Sequence, residues 1–235
     1  MAEEQTMQQA GRHTLKAFDE DIDRLRALIS QMGGLAEHAI GEAMRCLIER
    51  DTEGAEKVIA DDKKLDALEV ETERRAVQLI ALRAPMAGDL RDVVAALKIS
   101  GVVERIGDYA KNIAKRVPLL ESAGKIEPIS LLPEMARIST GMVHDILDAF
   151  VERDADAAIR VCRRDDAVDD FYDSIFRTLL THMMENPHNI GQATHLLFVA
   201  KNLERVGDHA TNIAEMVYYA ATGQHMADRP GKSPK

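Results

Sequence analysis

Two seventeen-residue segments of this chain are near copies of one another, one hundred positions apart, and that repetition restricts the fold more than any other feature. Residues 101–117 read GVVERIGDYAKNIAKRV, and residues 201–217 read KNLERVGDHATNIAEMV. Nine of the seventeen positions are identical: Glu104/Glu204, Arg105/Arg205, Gly107/Gly207, Asp108/Asp208, Ala110/Ala210, Asn112/Asn212, Ile113/Ile213, Ala114/Ala214 and Val117/Val217. Upstream, Glu49-Arg50-Asp51 returns as Glu152-Arg153-Asp154, and the acidic stretch Asp61–Asp66 returns as Asp165–Asp170, at offsets of 103 and 104. A duplication with small loop insertions accounts for the drift.

Each copy reads as three helices. Breaker residues place the first three at about Leu15 to Arg50, Glu53 to Arg83 and Met86 to Val117, with Pro85 and Pro118 as punctuation. The stretch 121–133, holding Gly124, Pro128 and Pro133, loses the helical period and reads as a linker. Three further helices are expected at about 134–152, 155–185 and 189–221, with Pro187 between the last two. The predicted architecture is all-α: two tandem three-helix bundles of the up-down, spectrin-like kind, over 13–120 and 134–222, followed by a disordered tail at 223–235. Val103, Ile106, Ala110, Ile113 and Val117 step by three and four residues, as do Leu203, Val206, Ala210, Ile213 and Val217. Each stripe therefore faces a coiled-coil-like core. Aromatics are only 4% and Trp is absent, so Leu, Ile, Val, Ala and Met must fill that core. Met32, Met44, Met86, Met135, Met142, Met183, Met184 and Met216 are read as such filling.

Charge narrows the function. A formal net charge of −10 repels a phosphate backbone, so nucleic acid is not expected as a partner. Cys46 and Cys162 form no CxxC pattern and read as buried thiols in a reducing cytoplasm. Neither a basic-then-apolar leader nor a run of about 20 apolar residues is visible, so membrane association is expected to be peripheral and through partners.

The chemistry lies in carboxylates. Glu104, Asp108 and Asn112 step by four along one helix face beside the stripe, and Glu204, Asp208 and Asn212 repeat them. On the preceding helices Asp62 and Asp66 form another such pair, continued by Glu69 and Glu73, and Asp166 and Asp170 are taken as their copies. Like charges at this spacing repel, and a hard cation that takes several oxygen ligands would compensate them. The plain alternative is a solvated face whose carboxylates pair with Lys98, Arg105, Lys201 and Arg205. No paired Glu-x-x-His motif points to a di-iron core, since Pro187 interrupts Glu185 and His188. Gly107 and Gly207 read as close-packing sites, and His209, which stands where the first copy has Tyr109, reads as surface or core rather than ligand. Asp89 and Arg91 read as capping and orienting the third helix, and Asn189 and Gly191 do not repeat them.

The segment Glu104 to Ala114 and its copy Glu204 to Ala214 resemble the paired signatures of PhoU proteins. His13, Phe18-Asp19 and Pro85-Met86-Ala87-Gly88-Asp89-Leu90-Arg91 extend the likeness over about residues 13 to 220. The resemblance implies two bundles about a pseudo-twofold axis and surface motifs that hold metal: Asp62 with Asp66, Glu104 with Asp108, Asp166 with Asp170, and Glu204 with Asp208. It implies iron, or manganese, magnesium or zinc. It further implies a non-catalytic cytoplasmic adaptor, often a homodimer, that links the ATPase of a phosphate ABC transporter to a sensor histidine kinase. In that role it silences the phosphate-starvation response. A carboxylate-bridged metalloenzyme and a metal-free helical scaffold are the competing readings.

Overall fold

The computed structural model describes residues 2–120 and 127–226, with side chains from Phe18 onward except at 127 and 128. Among the described residues there are eight α-helices: α1 Ala2–Glu49, α2 Thr52–Asp61, α3 Lys63–Arg83, α4 Gly88–Ala114, α5 Val117–Leu120, α6 Leu132–Glu152, α7 Ala155–Glu185 and α8 Ile190–Thr222. Two 3₁₀ turns, Glu127–Leu131 and Pro187–Asn189, lead into α6 and α8. The first bundle is α1, α2 with α3, and α4; the second is α6, α7 and α8.

The helix joints follow from local chemistry. Asp51 and Asp154 each cap the following helix, accepting the amide of Gly54 at 2.8 Å and of Ala157 at 2.9 Å. The residue before each cap, Arg50 or Arg153, is left-handed, with φ of 62° and 58°, which stops the preceding helix. The two corners are the same corner, 103 residues apart. The helix expected from Glu53 to Arg83 is instead two, joined at Asp62, whose φ of −50° and ψ of −37° keep the direction helical. Of the stretch 121–133 that the sequence marks as linker, residues 121–126 lie outside the described residues, and the remainder is the 3₁₀ turn and the first turn of α6, where Pro133 suits a helix N-terminus. Within the tail, Gly223 closes α8 in a left-handed conformation, His225 stacks on Tyr219, and Met226 packs on Cys162 with the sulfurs 3.8 Å apart. Those three tail residues therefore make contacts with the second bundle, and 227–235 lie outside the described residues.

One continuous apolar core runs through both bundles. Both expected stripes are buried to 1% exposure or less, from Val103 to Val117 and from Leu203 to Val217. Each such Leu, Ile or Val contributes roughly 1.5–3 kcal/mol. The buried face of α4 is wider than the stripe, because Val93, Ala96, Ile99 and Val102 are buried too. The cause is tertiary: α4 packs on α8 as well as on its own bundle, and α1 packs on α6. Met32, Met44, Met135 and Met142 fill the core as expected, whereas Met86 and Met184 are 79% and 77% exposed. Met86 follows Pro85 in the α3–α4 connection, and Met184 lies in the last turn of α7.

Tyr109 and His209 occupy equivalent positions and touch one another. Their rings stack at 5.3 Å between centroids, and Tyr109 Oη lies 2.8 Å from His209 Nε2. A residue that contacts its own copy marks a twofold relation. The axis passes between α4 and α8, so the acidic rows of the two halves lie on opposite flanks of this pair.

Candidate metal centre in the acidic rows

In the first bundle, α3 and α4 approach at Gly107. A Cβ placed there would lie 2.4 Å from Leu65 Cδ1 and 3.7 Å from Asp62 Oδ1. The missing side chain thus brings the α2–α3 joint onto α4 and sets Asp62 beside Asp108. Lys111, one turn further along α4, donates to Asp62 Oδ2 at 2.5 Å and to Asp108 Oδ1 at 3.3 Å. The Asp62 side chain is only 6% exposed, so this ammonium is its counter-charge.

Further along the row compensation fails. Burial, then the charges of Asp108, Glu69, Asp66 and Asp62, push the Glu104 carboxyl up to about 7. Glu69 is raised in the same way, by burial and then by Glu73 and Asp66, with Arg105 opposing. Asp62, Asp66, Glu69, Glu104 and Asp108 therefore share one local field, as the sequence spacing suggested.

The second bundle repeats the frame with different residues. A Cβ on Gly207 would lie 3.2 Å from Asp165 Oδ1 and 3.3 Å from Val168 Cγ1, the places of Asp62 and Leu65 in the first bundle. Asp165 is buried, at 6% exposure. Asp166 and Asp170, read from the sequence as the copies of Asp62 and Asp66, are exposed on the next face of α7. The structural copies are Asp165 and Asp169, at the offset of 103 that the two capping aspartates already keep. One residue of register rotates a helical side chain by about 100°, which is enough to take it off the row.

The counter-ions also change sides. Lys111 is replaced by Thr211, and Gly101 by Lys201. Lys201 donates to Glu204 Oε1 at 2.6 Å and stands 5.2 Å over the ring of Tyr172, which takes the place of Glu69. Glu204 is 14% exposed, and its Oε2 is buried without a hydrogen-bond partner. Of the four cations named as possible partners, Lys201 alone pairs with a row carboxylate among the described residues. Lys111 does so unforeseen; it follows Asp108 by three residues, a spacing that could have shown it.

The donor set is all oxygen, the preference of a hard cation. As the side chains stand, no three His, Cys, Asp or Glu among the described residues converge as a ligand group. In the first row Lys111 already sits between Asp62 and Asp108, so the open end is Glu104 with Asp66 and Glu69. Burial first, and then the surrounding negative charge, raises Glu104, and that charge is what an entering cation would satisfy.

Fold and rows define a class: duplicated three-helix bundles whose halves meet about a pseudo-twofold axis, each with an acidic row where its second and third helices touch. The family model described as the PhoU domain matches twice, at residues 29–117 and 132–217. The chain belongs to the PhoU family. It is 54% identical to a phosphate-specific transport system accessory protein PhoU homolog of Zymomonas mobilis, over 92% of each chain. Another PhoU homolog with the same description, from Caulobacter vibrioides, is 47% identical over 94% of this chain and 96% of its own. The crystal structure of PhoU from Pseudomonas aeruginosa superposes with a TM-score of 0.83 at 34% identity, covering 88% of this chain and all of the other.

Proposed function

We propose that this chain is a non-catalytic regulator of phosphate uptake, which couples the ATPase of a phosphate ABC transporter to a sensor histidine kinase and holds the starvation response off when phosphate is plentiful. The observation that carries the reading is the double family match, one to each bundle, joined to relatives named as accessory proteins of the phosphate-specific transport system. Among the described residues no helix is long and apolar enough to cross a membrane, so contact with a transporter is proposed through its protein partner. A cytoplasmic homodimer is the assembly we assign.

Metal belongs to the same proposal. Asp66, Glu69, Glu104 and Asp108 would hold a hard cation in the first bundle, and Asp165, Asp169, Glu204 and Asp208 in the second. Bound there, a cation supplies charge neutralisation and a cross-link between neighbouring helices. The chain's own residues do the rest: Gly107 and Gly207 set the helix approach, and Lys111 and Lys201 fix one end of each row.

Deletion of the gene in phosphate-rich medium should raise a starvation-gene reporter, and the intact chain should restore repression. Unchanged reporter output on deletion would refute the regulatory reading. Equilibrium dialysis with manganese or ferrous iron tests the rows: a Glu104→Gln, Asp66→Asn variant should lose the ion bound in the first bundle, and wild-type protein that takes up no ion would remove the metal proposal.

A further inference from the structure

A groove of about 580 Å³ runs between α4 and α8 on the side of the pseudo-twofold axis that carries the C-terminal end of α8. Its α4 wall presents Arg91, Lys98 and Arg105, spaced by seven residues and so about 10 Å apart along one helix face. Its floor is apolar, with Val94, Val102 and Met216. At the Arg91 end, Tyr219 and His225 form a ring stack with centroids 4.8 Å apart. Among the described residues that line it, Glu215 is the one carboxylate.

On a chain of net charge −10 this wall is an exception that the fold does not require. Neither Lys98 nor Arg105 forms an ion pair among the described residues. Arg91 is held in place by donating Nε to the Ala220 carbonyl at 3.4 Å.

The duplicated half supplies an internal comparison. The pseudo-twofold places Phe198 where this groove has Lys98, Arg116 where it has Met216, and His195 where it has Ala95. There the Arg116 guanidinium lies 4.8 Å over the Phe198 ring, a cation–ring contact that the groove lacks at Lys98. The same positions in the groove hold an unpaired lysine, a flexible thioether and a methyl group. One copy has filled its groove and the other has left it open and cationic.

We infer that the α4–α8 groove is a binding site for a nucleoside di- or triphosphate, with the phosphates between Lys98 and Arg105 and the base against the Tyr219–His225 stack. Its volume falls within the range of about 300–1,000 Å³ of small-molecule sites. Cations on one wall suit phosphate oxygens, and an exposed aromatic edge suits a base. The inference does not depend on the regulatory reading, because binding can be measured without transporter, kinase or gene expression.

Titration calorimetry on the full chain, at low salt and with a chelator to silence the acidic rows, tests it. ATP and ADP should bind, while adenosine and inorganic phosphate should each bind at least about tenfold more weakly. Lys98→Ala and Arg105→Ala should each weaken ATP by about tenfold, and Arg205→Ala, the equivalent cation on the far side, should leave it unchanged. The Lys98→Phe, Met216→Arg variant copies the filled groove and should abolish binding. If that double variant does not fold, the exposed Lys98→Ala change still decides. No binding of ATP at millimolar concentration, inorganic phosphate binding as tightly as ATP, or ATP affinity indifferent to Lys98→Ala would each overturn the site.

Discussion

Replacing Lys111 by Ala removes the ammonium that, among the described residues, reaches both Asp62 and Asp108. The Asp62 side chain is 6% exposed and that of Lys111 28%, so the carboxylate cannot turn to water while the lysine partly can. A charge-assisted hydrogen bond to a buried group is worth about 1.5–3 kcal/mol. Freeing the lysine returns side-chain entropy of up to about 2 kcal/mol, and water enters where the side chain stood. The net cost should be about 1–2 kcal/mol, or roughly 2–8 °C in Tm for a chain of this size. Hydrogen bonding to Asp62, the leading cause, raises the Lys111 pKa above its ordinary value. For a base raised on folding, the stabilisation is complete below the unfolded pKa and is lost only as pH rises through the folded one, so the loss in Lys111→Ala should be constant from pH 6 to 9. Urea unfolding of wild type, Lys111→Ala, Asp62→Asn and the double variant gives a coupling energy. A double variant that costs the sum of the singles, within about 0.5 kcal/mol, would refute the claim that Lys111 acts through Asp62. The same variant bears on metal. With the ammonium gone, manganese should stabilise Lys111→Ala more than wild type.

Glu104→Gln tests the uncompensated end of the row in chelator-treated protein. The carboxyl rises from 4.5 to about 7 on folding, so wild type loses stability as pH climbs through that window; the glutamine variant should not, and should be about 1–2 kcal/mol more stable at pH 8 after allowance for solvent screening, with no difference near pH 4.5 by urea unfolding. Gly107→Ala and Gly207→Ala should part company in thermal melts. The first meets Leu65 at 2.4 Å and should destabilise by about 1 kcal/mol or more, whereas the second meets nothing closer than 3.2 Å, so its gain in helix propensity should leave it near neutral. Asp154→Ala should lower Tm by removing the α7 cap; its amide bond from Ala157 holds the Asp154 carboxyl below the usual range, so the deficit should be full at pH 7 and vanish as pH falls through that carboxyl's folded pKa.

What the sequence determined by itself is the part governed by short-range periodicity. The helices, the two apolar stripes, the repeated Gly-Asp approach and the row of Asp62, Asp66, Glu104 and Asp108 all follow from spacing along one chain direction, because a helix converts sequence position into angle. Asp165 was within reach of the same logic, since Asp51 to Asp62 and Asp154 to Asp165 are equal steps, but the neighbouring aspartates made the wrong register look as good. Tertiary structure alone decided how the two halves meet. That α4 lies on α8, that Tyr109 stacks on His209, that Lys111 bridges two carboxylates and that one inter-helix groove is filled while its counterpart stays open depend on which helix faces which. Such pairings are fixed by side-chain packing across distant segments, and residue spacing within a single helix carries no record of them.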